Sequence, residues 1–325
     1  MRVTTFLTIM LGCNYLVFSQ ASDLLATEEK ERAPIIIKFG GAVPALNIEA
    51  KTIDSSSTPI NYRPSTQAKT FVSFDYDKYG ISLSGYNPRT SEFRKKFGEG
   101  SALDFQFRFD WEPLYIETYY QQYKGYYLEN ANEVMPSPFG SNGEYPSNSS
   151  LEAKHIGVQI FKYKNRENFH PHQSLLFIDR AQKSGGSGFY SVSLQYHEAR
   201  SSQSIVPTTA FDNYGELANW QESSVLTASI GGGGAYSLVL REKWVLSGLI
   251  GFGIGQQSSL ANYANDKENE DKVVFKSQVK LAAGYTTEKF ISGLNIQYDS
   301  TQIRLQSTEI VLSAIDTSVF IGWRF

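Results

Sequence analysis

From Pro34 to the last residue, apolar and polar side chains alternate in runs of period two. Leu103, Phe105, Phe107 and Phe109 stand against Asp104, Gln106, Arg108 and Asp110. Tyr190, Val192, Leu194 and Tyr196 stand against Ser191, Ser193, Gln195 and His197. The same alternation runs through Phe275 to Tyr285 and through Phe290 to Asp299. An extended chain turns successive side chains to opposite faces, so each run is a strand with one apolar and one polar side. The chain is therefore all-β. Alternation alone permits a soluble sandwich with its apolar face inward, or a membrane barrel with that face turned to lipid.

Three observations choose the barrel. Tight turns at Asp77-Lys78, Asp110 to Pro113, Arg241 to Lys243 and Thr286 to Glu288 alternate with long polar stretches at 52–69, 88–100, 129–150, 200–223 and 256–272. Short turns at one end and long loops at the other are the outer-membrane arrangement, and a sandwich has no reason to sort its connections so. The last strand alternates Val319, Ile321, Trp323 and terminal Phe325 with Ser318, Phe320, Gly322 and Arg324, the form that barrel-assembly machinery recognises. Finally, the polar face carries mixed charge. Asp104, Gln106, Arg108, Glu117, Gln195, His197, Lys276, Lys280, Asn295 and Gln297 would line a watery lumen, where acids and bases pair.

The pattern predicts a transmembrane up-and-down antiparallel β-barrel of about twelve strands, at 35–51, 68–77, 79–88, 100–110, 113–125, 151–163, 173–199, 223–240, 243–256, 272–286, 288–303 and 307–325. The segment 173–199 is too long for one simple strand. Gln182, Lys183, Ser184, Gly185, Gly186 and Ser187 within it predict a kink or bulge, read as a flexible or strained bend or, more sharply, as an inward fold that narrows the lumen. Tyr79, Trp111, Tyr115, Tyr126, Tyr127, Trp244 and Trp323 fit interfacial girdles.

The first 21 residues read as a signal peptide: Arg2, an apolar run from Val3 to Phe18, and small Ala21 before the cleavage point. Cys13 after Met10-Leu11-Gly12 offers a lipoprotein alternative, against which the apolar run continues to Phe18. A short polar segment, 22–33, leads to a barrel domain over 34–325. Export in a Gram-negative cell then places the chain in the outer membrane, with outer-membrane lipid and the barrel-assembly machinery as its partners. A net charge of −3 gives no basic footprint for nucleic acid. A mean hydropathy of −0.31 excludes a helical membrane protein.

Four stretches occur in a familiar order: Tyr62-Arg63-Pro64, the run Tyr119 to Leu128, the run Gln182 to Ser187, and Ser204-Ile205-Val206-Pro207. With them the chain resembles a family of predicted outer-membrane barrels, domain of unknown function 4421, over most of the mature length. Gly185 stands where the family more often has Ala, and Ser65 where it has Asn. The resemblance implies fold and location and brings no catalytic residue.

Of the four histidines, His197 adjoins Glu198 on the lumen face, a poor place for a lipid hydrolase, whose site must face lipid. His170-Pro171-His172 has chelating spacing but no evident third ligand, and reads as a solvated turn. Lys183 to Gly188 lacks the spacing of a phosphate loop. The expectation is thus no enzyme, no metal and no cofactor. A narrow channel or porin-like solute transporter is expected, a structural or adhesive surface barrel is the alternative, and a lipid-modifying enzyme comes third.

Overall fold

A computed structural model describes residues 33–325 apart from 44–45, 54–56, 67, 87–89, 136–138, 141–142, 265 and 305–307. The expected signal peptide therefore lies outside the described residues. The chain divides into two units, Met1–Pro34 and Ile35–Phe325, and the second is a barrel. Its strands are β1 (Ile35–Val43), β2 (Leu46–Thr52), β3 (Ile60–Pro64), β4 (Lys69–Tyr76), β5 (Tyr79–Tyr86), β6 (Ser101–Trp111), β7 (Leu114–Leu128), β8 (Ser147–Tyr163), β9 (Gly185–Arg200), β10 (Trp220–Leu240), β11 (Trp244–Tyr263), β12 (Lys267–Thr286), β13 (Phe290–Arg304) and β14 (Thr308–Arg324). Among the described residues, three short α-helices, α1 (Ser91–Phe97), α2 (Ala131–Val134) and α3 (Pro171–Ser174), and two 3-10 turns, Thr208–Asn213 and Gly215–Asn219, punctuate the connections.

Every ladder is antiparallel, and pairing of β1 with β14 closes the ring. The fourteen strands make twelve staves. β1 and β2 hold one register on β14, with Ala42 opposite Ser318 and Leu46 opposite Ala314. β3 and β4 follow each other along β2 and β1, with their registers offset by one residue. Above Lys124 the ladder between β7 and β8 slips at Gly125, whose φ of +81° suits glycine alone. The bulge reverses which residues of β7 face inward, so Tyr123 and then Tyr126 and Leu128 are all buried.

The expected faces hold. Leu103, Phe105, Val192 and Leu281 are exposed on the outer wall, as are Val319, Ile321, Trp323 and Phe325. Tyr79, Trp111 and Trp244 are exposed beside tight turns, as a girdle requires. Tyr115 and Tyr126 are not girdle residues. Tyr115 shares the inward parity of Glu117, and the Gly125 bulge turns Tyr126 inward, so both rings are buried.

Two connections differ from expectation. The stretch 256–272 is not a loop: β11 runs on to Tyr263, paired with β10 to its end, and β12 begins at Lys267, so the two form a long hairpin. Strands of 20 residues exceed the roughly 9–11 that cross the hydrocarbon. And 173–184 is not strand. The chain leaves β8 at Tyr163 and re-enters the wall only at Gly185.

One ladder is incomplete. β12 pairs with β13 only from Val279–Tyr298 to Thr286–Ile291. Farther toward the long-loop end, β12 keeps its pairing with β11 and β13 its pairing with β14, with no rung between β12 and β13 among the described residues.

Candidate functional site

All ten predicted lumen residues face the interior, and six of them, Gln106, Arg108, Glu117, Lys280, Asn295 and Gln297, line a cavity of about 160 Å³. A smaller pocket beside it takes in Gln195 and Lys276. Asp104 is withdrawn behind Lys69, to which it is paired, and His197 stacks on His155 with ring centroids 3.9 Å apart. The lumen is thus a polar chamber filled mainly by its own side chains, as expected when few staves close a ring.

Ion pairs lace this chamber. Asp75 holds Lys38 at 3.0 Å and Arg108 at 2.9 Å. Lys69 bridges Asp104 and Asp316. Lys276 meets Asp299 at 3.2 Å, and Lys280 reaches from β12 to Glu117 on β7. Amide groups complete the cross-lumen bracing, Gln159 with Gln278 and Gln195 with Tyr119 and Asp299. Partnered charges of both signs can remain ionised away from bulk water, where a lone one could not.

The floor of the chamber is the segment 164–184, which enters the lumen at the short-turn end as a plug. Phe169, Leu175, Phe177, Ile178 and Ala181 are buried in a cluster with Ile36, Tyr115, Phe161, Phe189, Val245, Leu249, Ile291 and Phe320, residues drawn from around the ring. Leu175 and Leu176 line the cavity. The wall grips the plug through its backbone. Lys38 Nζ donates to the Leu176 carbonyl at 2.8 Å, and Arg324 donates to the carbonyls of Phe177 at 2.7 Å and Ile178 at 2.9 Å. Phe177 stacks near Phe320, centroids 5.9 Å apart, with a φ of +56° that a bulky residue rarely adopts. Inward glycines make room for this packing: a Cβ on Gly251 would stand 2.9 Å from the Phe189 ring and one on Gly284 2.7 Å from that of Phe177.

The predicted constriction at 182–187 is therefore misplaced. Gly185, Gly186 and Ser187 are regular β9, opposite Ser237, Tyr236 and Ala235 of β10, and Gln182, Lys183 and Ser184 are the plug's exit. The inward element lies just upstream. Apolar Leu175 to Ile178 resembles a strand in sequence, but it buries against the barrel's own lumen instead of pairing in the wall.

The roof is the connection between β9 and β10. Ile205, Val206, Ala210, Tyr214 and Leu217 bury against inward residues of β2, β3, β7, β8, β10, β11, β13 and β14, including Ile48, Tyr62, Leu128, Leu151, Val225, Ala261, Ile303 and Ile310. Tyr62 Oη donates to the Ile205 carbonyl at 2.9 Å, and Tyr214 Oη to the Thr58 carbonyl at 2.7 Å. Two of the stretches quoted for the family resemblance, Tyr62-Arg63-Pro64 and Ser204 to Pro207, meet here.

At the plug's outer edge, His170 and His172 are not a solvated turn. His172 is buried, and both rings converge on buried Asp110, the last inward residue of β6. Arg166 Nη2 lies 2.5 and 2.6 Å from the two Asp110 oxygens and 2.9 Å from His170 Nε2. Sequence reading missed the third ligand because Asp110 is 60 residues upstream and meets the histidines only when the plug folds back.

A family model described as a domain of unknown function, DUF4421, matches residues 29–325. The chain belongs to the DUF4421 family. No curated protein matches this DUF4421 chain in sequence. Its fold is similar to the translocator domain of the autotransporter NalP from Neisseria meningitidis, at 11% identity over 99% of this chain and 97% of that one, with a TM-score of 0.39. It is also similar to the P. putida toluene transporter TodX, at 10% identity over 90% of each chain and a TM-score of 0.28. OmpT, an outer membrane protein of Vibrio cholerae, matches at 9% identity over 91% of this chain and 99% of that one, TM-score 0.32. These likenesses extend to the outer-membrane barrel plan and no further. They correct the expectation that the DUF4421 chain is not an enzyme. Barrels of unlike roles share the plan, OmpT among them, so the plan excludes no catalytic role.

Proposed function

We propose that this protein is an occluded outer-membrane conduit that passes a small polar or zwitterionic solute one chamberful at a time. The observation that carries this reading is the stacking of three layers along the lumen: an apolar plug, a polar cavity of about 160 Å³ and an apolar roof. A cavity of that size has room for several waters or one small solute. Lys69, Arg108, Lys280, Glu117, Asp299 and Asp316 on its wall offer both signs of charge, which suits a ligand that carries both. A wide open porin is disfavoured, since side chains and two packed segments fill the bore.

The test is flux with the plug free or fixed. The single cysteine, Cys13, lies in the expected signal segment, so cysteines placed at Phe177 and Phe320 would be unique in the mature chain. Proteoliposomes of the native protein should admit amino acids or other small zwitterions and exclude oligosaccharides. Joining F177C to F320C with a short bifunctional thiol-alkylating reagent, such as a bis-maleimide, should abolish entry. Native vesicles no leakier than empty ones would defeat the conduit and favour the surface scaffold, for which the cross-lumen ion pairs would be rigid bracing.

A further inference from the structure

The cluster at the edge of the plug has a ligand chemistry that the conduit does not use. We propose that Asp110, His170 and His172 bind one divalent transition-metal ion of the zinc type, which fastens the plug to the barrel rim. His170 Nε2 lies 3.3 Å and His172 Nε2 3.7 Å from Asp110 Oδ2, and all three ligand atoms fall within 4.8 Å of one another. Ligands bonded at about 2.0–2.2 Å in a tetrahedron stand about 3.3 Å apart, so the two Asp110 contacts need shifts of a few tenths of an ångström and the two imidazole nitrogens must close by up to about 1.5 Å. One carboxylate and two imidazoles leave a fourth position for water. The local sequence sets this up: His170 caps α3 in an extended conformation and Pro171 occupies its first turn, which brings both rings to one side.

A further observation points to a cation here, namely what occupies the centre now. Arg166 Nη2 touches both Asp110 oxygens and His170 Nε2, so a positive group already sits where the ion would go. It is poorly served there, since Arg166 Nε and Nη1 are buried with no hydrogen-bond partner among the described residues. A guanidinium so held is readily displaced by an ion that satisfies all three ligands at once.

Because the two histidines belong to the plug and Asp110 to the wall, the ion would act as a clasp. This inference rests on the plug's geometry and is independent of what the chamber carries. The experiment uses the full mature chain, folded in detergent, stripped with a chelator and titrated with zinc(II) against a chromophoric competitor. One equivalent should bind. H170A/H172A, shown folded by its heat-modifiable mobility, should bind more weakly by more than the roughly 10–100-fold that losing a mere supporting contact costs. R166Q should bind zinc more tightly than the native protein, and H155A/H197A should match it. Zinc should also slow protease cleavage within 164–184. Native-like affinity in H170A/H172A, weakened binding in H155A/H197A alone, or weakened binding in R166Q would each overturn the proposal. Should H170A/H172A fail to fold, ethoxycarbonylation of the native protein with diethyl pyrocarbonate decides: zinc must shield His170 and His172 from the reagent, and unshielded rings refute the site.

Discussion

Phe105 and Gln106 are neighbours in the chain and differ completely in surroundings. Phe105 is exposed on the outer wall and Gln106 lines the chamber. Arginine at the lipid face near the midplane costs about 2–4 kcal/mol, whereas beside the Gln106 site it meets water and carboxylates. F105R should therefore lose folding yield in lipid vesicles while Q106R folds nearly as well, and equal yields would reverse the two faces. Phe177 is the corresponding test inside. Its ring is wholly buried at the plug tip, so F177A should weaken docking of the plug by about 3 kcal/mol, read as faster proteolysis of 164–184 with the barrel intact. At this scale the sequence was most transparent, because parity alone places a side chain in or out. It misled at Tyr126, where one glycine with positive φ resets the count.

At the scale of elements, the last strand shows how much one alternation can carry. Its outer face presents Val319, Ile321, Trp323 and Phe325, while its inner face presents Phe320 and Arg324 to the plug. Separate defects should follow. If the assembly machinery recognises the outer pattern, removal of Phe325 should lower the amount of protein reaching the outer membrane, measured by heat-modifiable mobility. Arg324→Gln should insert normally and loosen the plug, measured by the same proteolysis. Normal abundance without Phe325 would sink the assembly reading. Most staves were legible, since a strand between lipid and lumen must alternate. The plug was not, because Leu175 to Ile178 buries on all sides and shows no period. A short apolar run of this kind looks the same in a wall or in a stopper. The usable clue lay just before it, in Asn165, Asn168 and Pro171, turn residues too numerous for a tight hairpin.

The whole molecule combines a closed ring with one incomplete seam. The backbone amides on the β13 side of β12, from Lys267 to Gln278, lack a rung there among the described residues. In hydrogen exchange they should lose protection well before the β10–β11 ladder, which is continuous from Glu222 to Leu240. Uniform protection around the ring would show that the seam is zipped in solution. The charged run Lys267 to Lys272 at its open end discourages a foreign strand from docking there. The stoppers at the two ends have a different consequence. They come from separate stretches of chain, so each can loosen without the other. If each stood open about 1% of the time, a common population for a minor state, both would be open together only about one ten-thousandth of the time. On the proposed conduit reading, two doors in series make an airlock: cargo moves when the doors open in turn, and the outer membrane is breached only for that roughly one ten-thousandth of the time.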